Sequence, residues 1–293
     1  HSAAKNASPS RKYTAIILYK DMTEENRERL SRLATENFHI TFVPMQEELQ
    51  EITDQMANRL RCDYFTLTIY FRLFIPTMFP QYDKGIYVDS DVVIRGDLGE
   101  LFDTDIGENF IGGCTDKSTV DDPGFAYYFE NAVGVPAQSY INSGVLLMNL
   151  KALREAELGK KFLQLLTTYH FETLAPDQDY INAMCHGKIH YLDPAWNAMP
   201  NAETVIENPK IVHYNLFAKP WCYDPVRYGH YFWEEIHETG YEAEARAHLD
   251  GYTDAQRQSD DDCFAVLVRG AAAIPKTETT FQKMVEKGVK IRL

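Results

Sequence analysis

The chain has 293 residues, with 43 acidic and 29 basic side chains, a formal charge of −14, and a content of 45% hydrophobic and 13% aromatic residues. This length and composition suit one large α/β domain, or two small ones, with a substantial core. The negative charge argues against a nucleic-acid polymer or an anionic lipid surface as the main partner, because both require clustered Lys and Arg, but it is compatible with a divalent metal.

Strands and helices alternate along the chain. Strands are predicted at 13–19, 39–45, 84–94, 110–116, 142–150, 188–193 and 210–215. Helices are predicted at 23–37, with Thr23 as the N-cap, and at 64–79, 153–170 and 177–187. From about residue 227 the chain reads as polar and helical, then irregular. The alternation predicts an α/β fold with a mixed, mainly parallel central sheet flanked by helices.

No linker or repeat interrupts this pattern. We predict a catalytic domain over residues 1–225 and a helical or irregular C-terminal extension over 226–293 that packs on the same domain. The five cysteines are scattered and form no CxxC pair, which favours reduced thiols in a cytoplasmic protein. No apolar run approaches the roughly 20 residues of a membrane span.

Two carboxylates, Asp89 and Asp91, interrupt the apolar strand predicted at 84–94. Residues i and i+2 of a strand point to the same side, so these carboxylates converge if the strand is continuous. Like charges this close repel unless a cation lies between them, and a hard divalent ion such as Mn²⁺ or Mg²⁺ takes oxygen ligands. The alternative is a strand end where both carboxylates face water. Spacing alone does not separate the two, because D-x-D is short and common.

Two further segments carry candidate groups that also have ordinary structural explanations. His213 follows an apolar pair, and Lys219 lies in a Pro-bounded turn. A neutral imidazole can bind a metal and an ammonium can neutralise phosphate, yet a lone histidine is more often structural. Asp177 and Gln178 open a predicted helix, where acidic residues complement the helix dipole.

Three other polar residues stand beside apolar segments. Asn142 and Ser143 precede an apolar strand, where turn chemistry alone accounts for them. Arg72 is alone on an apolar helix, and a buried arginine requires an anion, either a phosphate or an internal carboxylate.

Taken together and in this order, the segments resemble glycosyltransferase family 8, the retaining sugar transferases with a GT-A-type nucleotide-diphospho-sugar transferase fold. The resemblance extends from about Tyr13 to Trp221 and lies in "YFRL", "KGIYVDSDVVIRGDLGELFDTDIG", "YINSGVLLMNL", "PDQDYIN", "WN" at 196–197 and "VHYNLFAKPW". The family includes bacterial lipopolysaccharide galactosyl- and glucosyltransferases. The resemblance implies transfer of a hexose from UDP-glucose or UDP-galactose to a saccharide acceptor, with Mn²⁺ as the cofactor and Mg²⁺ as the alternative.

The resemblance also implies roles for individual residues. Asp89, Asp91 and His213 would hold the metal against the donor diphosphate. The donor-binding residues would be Arg72, Asp89, Ser90, Asn142, Ser143 and Lys219. Asp177 and Gln178 would lie beside the donor sugar as catalytic residues. We favour same-face attack by the acceptor, because an amide is a poor nucleophile.

The sequence departs from the family pattern at two places. Family members begin with a strand and an Ala-Asp-Asp-like loop that binds the uridine, whereas "HSAAKNAS" aligns with the helix after that loop. The resemblance therefore predicts an N-terminally truncated fragment, weakly active or inactive, with exposed strand edges. The segment "HYNLFAKPW" also lacks a glycine that some members have before the lysine.

Alternative functions remain at this stage. One is a catalytically impaired fragment that only binds metal and nucleotide sugar. Another is a haloacid-dehalogenase-like phosphatase, whose motif is also an apolar strand followed by D-x-D-x-V. Family members often attach to membranes through a basic tail, so peripheral association of the parent protein with the inner membrane face is an expectation from the family. The mildly basic end "FQKMVEKGVKIRL" is too weak a signal to establish it.

Overall fold

A computed structural model describes residues 1–45 and 67–293 of the chain. Its strands are β1 Tyr13–Tyr19, β2 Phe38–Pro44, β3 Gly85–Val88, β4 Val92–Ile94, β5 Ile111–Thr115, β6 Ile141–Met148, β7 Ile189–Tyr191 and β8 Ile211–His213. Its α-helices are α1 Ser2–Lys5, α2 Glu24–Ser31, α3 Phe71–Met78, α4 Leu98–Asp103, α5 Pro123–Tyr128, α6 Leu150–Glu155, α7 Leu158–Tyr169, α8 Pro176–Cys185, α9 Gly229–His237, α10 Glu242–Asp250, α11 Asp254–Ala273 and α12 Phe281–Glu286.

The central sheet has the strand order β3–β6–β5–β7. Strand β6 pairs antiparallel with both β3 and β5, and β5 pairs parallel with β7. Strands β1 and β2 form a separate parallel pair, and β4 and β8 a separate antiparallel pair. The predicted α/β architecture, a mixed central sheet with flanking helices, is confirmed. The expectation that this sheet is mainly parallel is wrong, because its central strand β6 pairs antiparallel with both neighbours.

Strand β6 lies at the centre of the core, and all of its residues are buried. Alternate side chains enter two different apolar clusters. Leu146 and Met148 face one cluster, and Val145 and Leu147 face the other. A strand buried on both faces reads as a continuous hydrophobic run, which explains "GVLLM". Each such side chain contributes about 1.5–3 kcal/mol relative to exposure.

The strand predicted at 84–94 is wrong as a single element. Strand β3 ends at Val88 and pairs with β6, whereas β4 begins at Val92 and pairs with β8. The carboxylates lie in the crossing between these two sheets. The crossing is held by backbone hydrogen bonds from Asp89 N to Gly144 O (2.8 Å) and from Tyr214 N to Asp91 O (2.9 Å). Periodicity could not show this break, because apolar residues flank it on both sides.

Several other predicted elements differ in extent. The helix predicted at 23–37 ends at Ser31, although Thr23 does cap it by accepting a hydrogen bond from Asn26 N. The helix predicted at 153–170 is two helices, α6 and α7, because Glu157 takes φ +54° between them. Residues 64–66 of the helix predicted at 64–79 lie outside the described residues, and the remainder forms a 3-10 turn followed by α3.

The prediction that the chain becomes irregular toward its C-terminus is wrong, because helices α11 and α12 follow α9 and α10 there. Helix α11 begins with a capping box between Thr253 and Gln256. In α12, the ring of Phe281 stacks on Phe171 at 4.1 Å between ring centroids. This segment thus shares the core of the sheet, while the boundary at residue 225 stays a prediction. Within the described residues, no helix has the length and apolarity that a membrane span requires.

Asp179, in α8, is a fully buried carboxylate that joins this helix to its neighbours. It accepts hydrogen bonds from the hydroxyls of Tyr128 (2.7 Å) and Tyr140 (2.6 Å) and from the backbone nitrogens of Leu174 and Ala175. Burial raises the pKa of Asp179 to about 6, although these four donors favour the anion. The folded protein therefore binds a proton at this site at a pH where the unfolded chain does not.

This raised pKa gives a pH-dependent stability. Between about pH 4 and pH 6 the unfolded carboxyl ionises first, so the free energy of unfolding decreases as the pH rises, by about 3 kcal/mol at most. Asp179→Asn removes the titration, and its carbonyl and amide can serve the same hydroxyls. Urea unfolding from pH 4 to pH 7 should show wild type losing stability relative to this variant. Parallel pH profiles would refute the assignment.

Candidate active site

Every residue that the sequence analysis placed in a site lies around the end of β6 nearest the crossing between β3 and β4. Asp89 and Asp91 come from the crossing, and His213 ends β8. The other contributors are Asn142 and Ser143 in β6, Asp177 and Gln178 in the first turn of α8, Arg72 in α3, Ser90 in the crossing, and Lys219 in the loop after β8.

Asp89, Asp91 and His213 form a group with the geometry of a metal site. His213 Nε2 lies 3.3 Å from Asp91 Oδ1 and 3.7 Å from Asp89 Oδ2. One ligand atom from each residue lies within 4.8 Å of the others. Two carboxylates and an imidazole are a donor set that can hold a divalent metal ion.

Two observations show that these residues fit a cation. Asp91 Oδ1 is buried and accepts no hydrogen bond, which costs free energy unless another group compensates it. Gly144 of β6 leaves the space that the group occupies, because a Cβ at that position would lie 2.1 Å from His213 Cε1 and 2.8 Å from Asp89 Oδ2.

Lys219 lies at the edge of the same group. It forms an ion pair with Asp91 Oδ2 and donates a hydrogen bond to the Tyr214 carbonyl at 2.6 Å. The ammonium of Lys219 favours the anionic form of the Asp91 carboxylate over the neutral form that burial favours. Asp91 is therefore an anion at neutral pH.

Arg72 is buried and binds internal carboxylates, which decides between the two anions that the sequence left open. Its guanidinium donates to Asp89 Oδ1 at 2.8 Å and lies 3.1 Å from Asp177 Oδ2. It also donates to the carbonyl (2.6 Å) and the hydroxyl (2.8 Å) of Ser143. Burial opposes its charge, but Asp177 and Asp89 raise the pKa of Arg72 and keep it protonated.

The side chains at the start of α8 point into the site and cap no helix. Asp177 Oδ2 accepts from the Ser143 hydroxyl at 2.9 Å, and Gln178 Oε1 accepts from the Ser143 backbone nitrogen at 2.9 Å. Helix α8 has no side-chain cap at Ala175. Burial raises the pKa of Asp177, and Arg72 opposes that shift. The hydrogen bonds of these two side chains therefore tie α8 to Ser143 of β6, in addition to any complementarity with the helix dipole.

Three residues of the site were missed by the sequence analysis. Tyr87 donates to Asp89 Oδ1 at 2.6 Å, and its ring centroid lies 4.5 Å from the Arg72 guanidinium carbon. Asp116 accepts from Gln178 Nε2 at 2.9 Å, and Asn197 lies 3.1 Å from His213 Nδ1. Strand period could have indicated Tyr87, two residues before Asp89. Asn197 lies in the "WN" segment that carries the family resemblance, although no role was assigned to it, and Asp116 carries no such signal.

The formal charges of the site do not balance. Asp89 and Asp177 pair with Arg72, and Asp91 pairs with Lys219. Asp116 accepts hydrogen bonds from amides and Ser118 and has no cation as a partner among these contacts. Four carboxylates and two cations give a formal charge of −2. A neutral His213 adds nothing to this balance. The deficit equals the charge of one divalent cation.

The loop between His213 and Lys219 and the exposed Ser90 complete the surroundings. Leu216 takes φ +54°, the left-handed region that favours glycine, so the loop has a glycine-like turn without the glycine. Ser90 borders a cavity of about 330 Å³ together with Asp91, Tyr214 and Trp221. The cavity connects the metal-binding group to helices α9 and α10.

Comparison with known proteins agrees with this architecture. The model of the family described as "Glycosyl transferase family 8" matches residues 1–224. A lipopolysaccharide 1,2-glucosyltransferase of Escherichia coli K12 is 23% identical over 220 residues, 69% of this chain and 62% of that protein. A Haemophilus influenzae protein is 27% identical over 203 residues, 69% of this chain and 59% of that protein. The matches thus span about 60% of the length of these two relatives.

Among solved structures, the galactosyltransferase LgtC in complex with donor and acceptor sugar analogues superposes with a TM-score of 0.63. It is 23% identical, and the match covers 88% of this chain and 94% of that chain. This likeness shows the fold, which is that of the GT-A glycosyltransferases.

The space at Gly144 generates a stability prediction. Gly144→Ala forces a Cβ into His213, so we expect the free energy of unfolding to fall by about 1–3 kcal/mol. The matched control is Gly229→Ala at the start of α9, where a Cβ meets its neighbours only at 3.5 Å and beyond. Chemical denaturation checks both variants. Equal stabilities for the two variants would contradict the close approach of β6 to His213.

Proposed function

Since the chain belongs to glycosyl transferase family 8, we propose that it transfers glucose or galactose from the corresponding UDP-sugar to a saccharide acceptor, with retention of configuration. The observation that carries the proposal is the convergence of Asp89, Asp91 and His213 with Lys219 in a site with a charge of −2. We propose that Asp89, Asp91 and His213 hold Mn²⁺.

The charged groups match the demand of the leaving group. A nucleoside diphosphate gains negative charge as the bond to the sugar breaks, and a bound divalent cation would supply compensating positive charge there. Lys219, paired with Asp91 beside the metal ligands, can turn its ammonium toward the phosphates. Ser90 is the residue between Asp89 and Asp91 in the sequence, and it is exposed and borders the cavity. We assign it to the donor as well.

The sugar side of the site is built from β6 and α8. Arg72 hydrogen-bonds Asp89 and Ser143, and Asn142 hydrogen-bonds Asn197 behind His213. We assign Arg72, Asn142 and Ser143 to the donor sugar because they adjoin the metal-binding group. An oxocarbenium-like anomeric carbon is stabilised by a nearby oxygen, and we assign this to the Gln178 carbonyl, with Asp177 beside it.

The hydrogen bonds of Asp177 support same-face attack by the acceptor. Its Oδ2 is engaged by both the Ser143 hydroxyl and Arg72, which lowers its availability as a nucleophile. The amide of Gln178 is a poor nucleophile in any case. A covalent glycosyl adduct on Asp177 would contradict this part of the proposal.

The relatives indicate the class of donor and acceptor. The named activities of the Escherichia coli relative and of LgtC, a glucosyltransferase and a galactosyltransferase, support a hexose donor. We propose a saccharide acceptor and action in the cytoplasm, where UDP-sugars are made. Membership of the family leaves the phosphatase alternative without support. A protein that only binds metal and nucleotide sugar remains the second candidate, and turnover separates it from the first.

The proposal predicts Mn²⁺-dependent release of UDP from UDP-glucose or UDP-galactose. Asp91→Asn should lower this rate by at least about 100-fold, because it removes a metal ligand and the partner of Lys219. UDP release is measured with and without Mn²⁺, with thermal unfolding as the test of folding.

The matched control is Asp122→Asn, which keeps the N-cap of α5 because asparagine caps as well as aspartate. We expect it to act like wild type. Mn²⁺-dependent thermal stabilisation without UDP release would favour the protein that only binds metal and nucleotide sugar. Undiminished UDP release in Asp91→Asn would remove the metal-site assignment.

A further inference from the structure

We propose that Asn197 is a positioning residue for His213, and that a chain of hydrogen bonds starting at Asp116 fixes its orientation. This inference rests on the metal site of the proposed function. It adds Asp116 and Asn197 to that site, two residues that are assigned to neither donor nor metal. The chain runs from Asp116 through Asn142 and Asn197 to His213.

The contacts of the chain are continuous and buried. Asn142 Nδ2 donates to Asp116 Oδ2 at 3.1 Å, and Asn197 Nδ2 donates to Asn142 Oδ1 at 2.9 Å. Asn197 Oδ1 lies 3.1 Å from His213 Nδ1. All four side chains are at most 5% exposed, so each polar atom depends on its protein neighbours.

The direction of these hydrogen bonds is set by groups that can act in only one way. The backbone nitrogen of Gly144 can only donate, and it donates to Asn142 Oδ1 at 2.9 Å. The carboxylate of Asp116 can only accept. The nitrogen of the Asn142 amide must therefore face Asp116 and its oxygen must face Gly144, and both requirements give the same orientation of the amide. Because Asn142 presents oxygen, Asn197 must present nitrogen to it and turn its own oxygen toward His213.

The histidine tautomer follows from this order. With an amide oxygen facing Nδ1, that nitrogen carries a proton, which leaves Nε2, beside Asp91 and Asp89, as the nitrogen that a metal can bind. When Nε2 carries no proton, it and Asp91 Oδ1 are two acceptors 3.3 Å apart. A cation between them removes this conflict, and an oriented ring N–H partner is how proteins fix a metal-binding histidine.

Asp116 also orients Gln178, the residue assigned to the donor sugar. Its Oδ2 also accepts from Gln178 Nε2 at 2.9 Å, while Ser143 N donates to Gln178 Oε1. One carboxylate thus orients both the amide assigned to the sugar and the chain that ends at the metal ligand. The Ser118 hydroxyl and backbone nitrogen hold its other oxygen.

Two substitutions of Asn197 test the proposal. Asn197→Ala removes the acceptor of the Nδ1 proton, and the Mn²⁺ dissociation constant should rise about 10- to 100-fold. Asn197→Asp keeps an acceptor for His213 but turns its second oxygen toward Asn142 Oδ1. It should therefore lose thermal stability and yet bind Mn²⁺ within about threefold of wild type. Titration calorimetry on the metal-free full chain measures the affinity.

The matched control is Asn182→Ala. Asn182 is as buried as Asn197, but it hydrogen-bonds the Ile141 backbone and the Gln178 carbonyl and is outside the chain. It should lower the melting temperature and leave Mn²⁺ affinity unchanged. If affinity follows melting temperature across the three variants, Asn197 is merely structural and the proposal is wrong.

A second readout needs neither metal nor turnover. In ¹⁵N-histidine-labelled metal-free protein with a neutral His213 ring, the proton should lie on Nδ1, with the resonance assigned by its absence in His213→Ala. Asn197→Ala should move that proton to Nε2. A wild-type proton on Nε2 overturns the proposal, even if UDP-hexose turnover confirms the proposed function. Loss of turnover with an Nδ1 proton leaves the chain intact and refutes the function alone.

Discussion

Excess negative charge held against an apolar sheet is the constraint on which the rest of this structure depends. Asp89 and Asp91 lie in a crossing between two sheets, beside a strand whose every residue is buried. Both side chains are partly buried, at 26% and 22% exposure, and carboxylates withdrawn from water require compensating charge and hydrogen bonds. Arg72 forms an ion pair with Asp89, and Lys219 forms one with Asp91. Because Arg72 is shared with a further carboxylate, Asp177, the compensation stays incomplete, and this deficit makes the site suitable for a cation.

Strand β6 contributes both to the apolar core and to the charged site, through different ends of the strand. Toward its C-terminal end it supplies alternating aliphatic side chains to two apolar clusters. Toward its N-terminal end the same strand carries Asn142, Ser143 and Gly144, whose backbone and side chains bind the amides and carboxylates of the site. The rigidity that the clusters give this strand also fixes the polar groups, since both belong to one continuous backbone. Core packing and site geometry are therefore coupled.

The sequence analysis succeeded for elements that a local pattern defines. It failed for features that depend on which distant segment an element packs against. Apolar runs located β1, β5 and β6, and Thr23 was found as a cap because capping needs only neighbouring residues. The run at 84–94 was taken as one strand, because hydrophobicity does not tell which sheet a strand joins. Likewise, Glu157 breaks the helix predicted at 153–170 through a backbone conformation that no side-chain period shows.

The sequence by itself determined the class of fold, the family resemblance, and which residues form the centre of the site, because these depend on residue types and their order. Only the tertiary structure decided the partners. It paired Arg72 with internal carboxylates, and it brought Asp116 and Asn197 behind Gln178 and His213. Hydrogen bonds between residues that lie far apart in the chain depend on the distances and orientations of atoms, and neither spacing nor composition encodes these until the sheets have packed.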